Sequence, residues 1–113
     1  MTAARFDFPV TAFETRVLTI TCLGADETEV DLTGCTAVME YRDDADDPDA
    51  LAVWTIAIEG GTITATLAAA ESGKLQGHQS VKYDVFIVDA DDIAERLLYG
   101  VSPVTSAFSR PLS

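Results

Sequence analysis

The sequence predicts an all-β fold: an Ig-like antiparallel β-sandwich of about seven strands with one short helical turn. Three observations carry it. Apolar and polar residues alternate with a period of two in several separate runs. Those runs are rich in Val, Ile, Thr and aromatic residues, which fit a pleated, half-buried surface. Polar or glycine-containing turns separate them at short intervals, the spacing of a sandwich rather than of a βα unit. With 113 residues, 48% of them apolar, the chain is long enough for one domain with a true core and too short for two.

Residues 1–12 read as an extended arm. Phe6 and Phe8 alternate with Arg5 and Asp7, and Pro9 argues against a helix. The arm either pairs with its own sheet or adds to the edge of a neighbouring subunit. The sandwich proper is expected over 13–105. Its first strand, 16–22, places Leu18, Ile20 and Cys22 on one face and Val17, Thr19 and Thr21 on the other. Residues 24–27 have turn chemistry. A second strand, 35–42, points Cys35, Ala37, Met39 and Tyr41 inward and Thr36, Glu40 and Arg42 outward. The acidic run 43–49, interrupted by Pro48, is a loop.

Residues 51–58 are apolar at both parities, which predicts a central strand covered on both faces. Gly60 and Gly61 form a turn, and 62–67 follows with Ile63, Ala65 and Leu67 inward. Residues 68–75 have the composition of a short helix, stopped near Gly77. Residues 81–88 form a strong strand with Val81, Tyr83, Val85 and Ile87 inward. The turn 89–92 joins it to a hairpin partner over 93–102, ended by Pro103. Residues 106–113 are a tail.

Charge narrows the function classes. Nineteen acidic residues stand against seven basic ones, a formal net charge of -12. Such a surface repels phosphate backbones and anionic membranes, so neither nucleic acid nor membrane is an expected partner. It suits solubility and a protein partner with basic patches. Residues 1–10 contain no apolar run of signal-peptide length, so synthesis in the cytosol is expected.

No catalytic constellation is legible, and the chain is expected not to be an enzyme. His78 is the lone histidine, without a nucleophile elbow nearby. Cys22, Cys35 and His78 lack the paired spacing of a zinc site. The two cysteines are candidate neighbours across a sheet, but in a reducing cytosol two small buried thiols are the better reading. Trp54 reads as the core anchor. A sugar platform would have to come from Trp54, Phe86 and Tyr99. No cofactor or metal is expected.

The acidic loop is the strongest chemical candidate. Asp43, Asp44, Asp46, Asp47 and Asp49 lie close together, and alternating acids supply calcium with oxygen ligands. The loop lacks the glycine and the terminal glutamate of an EF-hand, so a solvated acidic docking knob is the better reading. Asp89, Asp91 and Asp92 form a second acidic turn. Phe6 and Phe8 of the arm, with the acids of the first loop, are the candidate interaction residues. Val53, Phe86 and Val88 are outward apolar positions that suit contact with a partner.

Several segments together carry a resemblance. Val30-Asp31-Leu32-Thr33-Gly34 leads into a strand. Ile63-Thr64-Ala65-Thr66-Leu67 runs into a helical turn ending at Leu75. Tyr83-Asp84 opens an apolar strand, and Arg96-Leu97-Leu98-Tyr99-Gly100 precedes Val104-Thr105. This order resembles the small Ig-like β-sandwich domains of tailed bacteriophages, as at the N-terminus of baseplate upper proteins. The resemblance implies a structural virion protein, docked in multiple copies on other virion proteins at the tail, baseplate or a fibre attachment point. Capsid decoration or a head-fibre base is the alternative, since the fibre extension of baseplate upper proteins does not follow here. A host-surface or glycan-binding module is the reading from another class. The Asp31–Gly34 segment itself reads as a turn device: Asp31 accepts backbone N–H bonds and Gly34 takes a backbone angle other residues resist.

Overall fold

The structure, a computed structural model, describes residues 4–23, 28, 30–44 and 49–107. The expected turn at 24–27, Asp46, Asp47 and Pro48 of the acidic loop, and the tail beyond 107 lie outside the described residues. Among those described, nine strands form two sheets. They are β1 (Ala4–Arg5), β2 (Val10–Thr11), β3 (Arg16–Thr21), β4 (Thr36–Arg42), β5 (Ala52–Val53), β6 (Thr55–Glu59), β7 (Thr62–Leu67), β8 (Ser80–Val88) and β9 (Ala94–Thr105). One helix, α1 (Ala69–Ser72), continues into a 3-10 turn, Gly73–Leu75. The larger sheet has the order β1-β9-β8-β4-β5, with β2 also on β9; the smaller has the order β3-β7-β6. The all-β sandwich expected from the alternation is the fold observed.

The inward residues named from parity make the core. Met39 and Tyr41 of β4, Val81, Tyr83 and Val85 of β8, and Ile63, Ala65 and Leu67 of β7 are all buried. Trp54 packs among them, its ring 5.7 Å from that of Tyr41. The Trp54 indole N–H is buried without a hydrogen-bond partner among the described residues. Full burial of the Met39, Ile63, Leu67, Val81 and Val85 side chains stabilises the fold by about 1.5–3 kcal/mol each. A buried polar pair links β4 and β9, Tyr41 Oη to Ser102 Oγ at 2.8 Å, and satisfies both hydroxyls. Burial pushes the Tyr41 phenol pKa far up, so the hydroxyl stays protonated.

Four expectations need correction. Residues 51–58 are not one central strand. The chain lies along β4 as β5, breaks at Trp54, and crosses to the smaller sheet as β6; both pieces are edge strands. Val53 and Ala57 are outward and exposed, so their apolar character does not reflect a second cover. Pro103 does not end the last strand. Val104 N–H donates to Gln79 O, just before β8, so the neighbouring nitrogens of β9 face the arm. The missing N–H of Pro103 falls on that side, between the two short arm strands, and interrupts no bond to β8. The sandwich is not wholly antiparallel, because β1 and β2 run parallel to β9. Finally, Cys22 follows β3 and Cys35 precedes β4, strands of different sheets, so the two are not paired across one sheet; both are free thiols, with Cys22 buried.

The arm takes the first of its two expected positions and pairs with its own sheet. Between β1 and β2 it bulges away from β9 and drives Phe8 into the core, edge-on to Tyr83 and Trp54. Phe8 is therefore a core residue, not a surface contact, and only Phe6 of the pair is exposed. Gly100 makes the crossing possible: a Cβ there would lie 2.1 Å from the Phe6 carbonyl oxygen. Asp7 Oδ1 accepts the Val101 N–H at 2.8 Å where the arm backbone has lifted off.

The Asp31–Gly34 segment and the acidic turn at Asp89 are both built as turns. Asp31 Oδ1 accepts the Thr33 N–H at 3.0 Å, and Gly34 has φ +84°. Asp89 Oδ1 accepts the N–H groups of Asp91 and Ile93 at 2.8 and 3.0 Å, while Asp92 sits at φ 63°.

Candidate functional site

The outward face of the larger sheet gathers most of the chain's positive charge. β4 contributes Glu40 and Arg42, β8 contributes Lys82 and Asp84, and β9 contributes Arg96, Tyr99 and Val101. β1 adds Arg5, whose register partner on β9 is Tyr99. These residues surround a depression of about 360 Å³. Four of the seven basic residues of a chain with net charge -12 thus stand around one hollow, together with two carboxylates.

A β-bulge shapes the hollow. Val85 pairs with Leu98 but Phe86 pairs with Arg96, so β9 carries one extra residue. Leu97 and Leu98 both turn toward the interior, and the outward parity of β9 reverses between Arg96 and Tyr99. That reversal puts the Arg96 guanidinium 4.5 Å from the centre of the Tyr99 ring, a cation–π contact.

The charges are not paired as a sheet would pair them for stability. Arg42 stands directly opposite Lys82, and Glu40 directly opposite Asp84. Like charges at opposite positions destabilise an antiparallel pair. Partial relief comes along β4, where Arg42 Nη1 lies 2.9 Å from Glu40 Oε1. Arg5 pairs with Asp7 at 3.3 Å. Lys82 and Arg96 have no carboxylate within ion-pair distance among the described residues. Burial pushes the Asp84 carboxyl above the usual carboxylate range; Arg96 and Arg42 pull it back and Glu40 pushes it further up. Tyr83, beneath the hollow, donates its hydroxyl to the Phe6 carbonyl, and its phenol pKa is pushed up to about 12 by burial, with Asp7 adding to the shift.

Beside the hollow the same face is apolar. Val38 and Phe86 are register partners, 48% and 37% exposed, and Val53 on β5 is 46% exposed. Val88 is half-buried. Two of the three outward apolar residues singled out from sequence therefore do stand exposed on one sheet.

Of the five acids of the acidic loop, Asp43, Asp44 and Asp49 are described. Asp43 Oδ1 lies 3.0 Å from His78 Nδ1, so this carboxylate is engaged with the lone histidine. Among the described residues no group of three or more His, Cys, Asp or Glu is placed to hold a metal ion. Of the aromatic residues considered for sugar, Trp54 is buried, while Phe86 and Tyr99 share the outward face.

A second, smaller depression of about 200 Å³ lies at the end of the sandwich. Cys22, Val30, Leu32, Cys35, Ile87 and Leu97 line it, with Asp31, Asp89 and Glu95 among its polar groups. Burial raises the Cys22 thiol pKa, and the neighbouring Cys35 adds to the shift, so Cys22 stays a neutral thiol.

Sequence reasoning marked Arg42 as outward but did not assemble the site. The available signal was the outward register of three strands, each carrying a cation in a chain with few of them. The bulge in β9 hid the last part, because simple alternation places Arg96 and Tyr99 on opposite faces.

No protein-family model matches the chain, and no curated protein matches it. No helix among the described residues is long and apolar enough to cross a membrane.

Proposed function

We propose that this chain is a structural docking domain without catalytic activity: a virion protein of a tailed phage that sits in multiple copies on other virion proteins through the outward face of its larger sheet. The observation that carries the docking surface is the juxtaposition of the exposed Val38–Phe86 pair with the Lys82 and Arg96 side chains on one sheet face. An apolar centre flanked by charge is the anatomy of a protein interface. Like-charge pairs that are only partly relieved within the sheet are also tolerated where a partner supplies further counter-charges. The resemblance to phage Ig-like domains supports the virion setting and favours the tail or baseplate; capsid decoration uses the same face in the same way. Repetition on a symmetric particle makes many modest contacts sufficient.

The test is incorporation. Phe86→Asp and Lys82→Glu variants, each shown folded by circular dichroism, should be lost from purified particles while a Thr19→Asp variant on the smaller sheet is retained. Retention of both face variants at parental level would overturn the docking face.

A further inference from the structure

The same chain carries a turn whose acidic and apolar side chains complement those of the hollow. The turn between β8 and β9 carries Asp91 and Asp92 beside Ile93, which at 63% is the most exposed large apolar residue described. Asp89 is consumed in holding the turn, through its bonds to the Asp91 and Ile93 N–H groups. The knob is thus held in shape before any contact, which lowers the ordering cost of binding.

The knob cannot reach its own hollow. It caps the end of β8 beyond Val88, whereas the hollow is centred near Lys82 and Asp84 on the same strand. Four to six residues of paired strand separate them, roughly 13–20 Å at the usual rise per residue.

We propose that the hollow receives the β8–β9 turn of a second copy of this chain, with Asp91 and Asp92 against Lys82 and Arg96 and Ile93 against the Val38–Phe86 pair. The inference rests on the docking-face reading and names its partner. Such a contact is head-to-tail, because the two surfaces are different patches of one molecule, and it builds rings or rows rather than a closed twofold dimer. Overall charge opposes it at very low salt. At about 0.15 M salt the screening length is about 8 Å, so the distant excess of acids is damped while contacting pairs persist. Association should therefore be strongest near physiological salt and weaken toward about 1 M.

Sedimentation velocity of the full chain over a concentration series tests this. The parent chain should self-associate reversibly. Lys82→Glu/Arg96→Glu should be monomeric, and so should Asp91→Lys/Asp92→Lys. An equimolar mixture of the two double variants should associate again, since one retains the native knob and the other the native hollow. A parent chain that stays monomeric up to about 1 mM, a range that covers weak contacts, would overturn the inference. So would a mixture that fails to reassociate. Loss of the hollow variant from particles with full retention of the knob variant would also overturn it, while leaving the docking face intact and assigning it to a different acidic protein.

Discussion

The buried hydroxyl pair and the crowded carboxylate behave differently although both are polar groups within the larger sheet. Tyr41 and Ser102 satisfy each other and lie fully inside. Ser102→Ala leaves the Tyr41 hydroxyl unpaired and should cost about 1–3 kcal/mol by urea denaturation, whereas adding Tyr41→Phe should recover part of that loss. Asp84 is the opposite case. Its pKa is raised in the folded state, so between the ordinary Asp value and the raised one the folded chain holds a proton the unfolded chain has released. Stability falls as pH rises through that window and the penalty is fully present above it. Asp84→Asn should therefore raise the melting temperature at neutral pH, and the gap to the parent should close as the pH drops below the ordinary Asp range. A variant that melts lower than the parent at pH 7 would show that the pull of Arg42 and Arg96 dominates instead.

At the scale of elements, the arm and the edge of β5 decide how the larger sheet is closed. Phe8 plugs the core from the arm, so Phe8→Ala should cost about 3–5 kcal/mol, as for other buried aromatics. Gly100→Ala should act more locally. Its added Cβ meets a backbone carbonyl, so β1 and β2 should exchange their amide hydrogens faster while β8 and β4 remain protected. On the other edge, Glu71 Oε1 accepts the Val53 N–H at 2.9 Å and so blunts an exposed strand. Hydrogen bonds from the Lys74 side chain and the Val53 N–H hold the Glu71 carboxyl below its usual range, and its contribution is lost as the pH falls through that lowered value. Parity made β3, β4, β7 and β8 readable, because a strand with one buried face writes its burial into every second residue. It failed where neighbours rather than alternation decide the outcome. The break at Trp54 moves the chain between sheets without disturbing the even-inward pattern from Ala52 to Ile58, so nothing in the residues marks the change. Pro103 misled because its effect depends on which side its absent N–H faces.

For the whole molecule, the described charge is unevenly placed. Acids predominate, yet the outward face of the larger sheet holds four of the seven basic residues beside an exposed apolar pair. Of the candidate interaction residues read from sequence, Phe8 is inside and Asp43 is tied to His78, while Asp46 and Asp47 lie outside the described residues. A composite site of this kind is written across three strands and a bulge, so no contiguous motif announces it. The proposed function makes this face the docking surface of a virion protein. Cryo-electron microscopy of intact particles assembled with this chain tests it most directly. Density for the sandwich is expected on the particle, in repeated copies, with Phe86, Lys82 and Arg96 turned onto a neighbouring protein. A chain absent from the particle, or present with that face open to solvent in every copy, would contradict it.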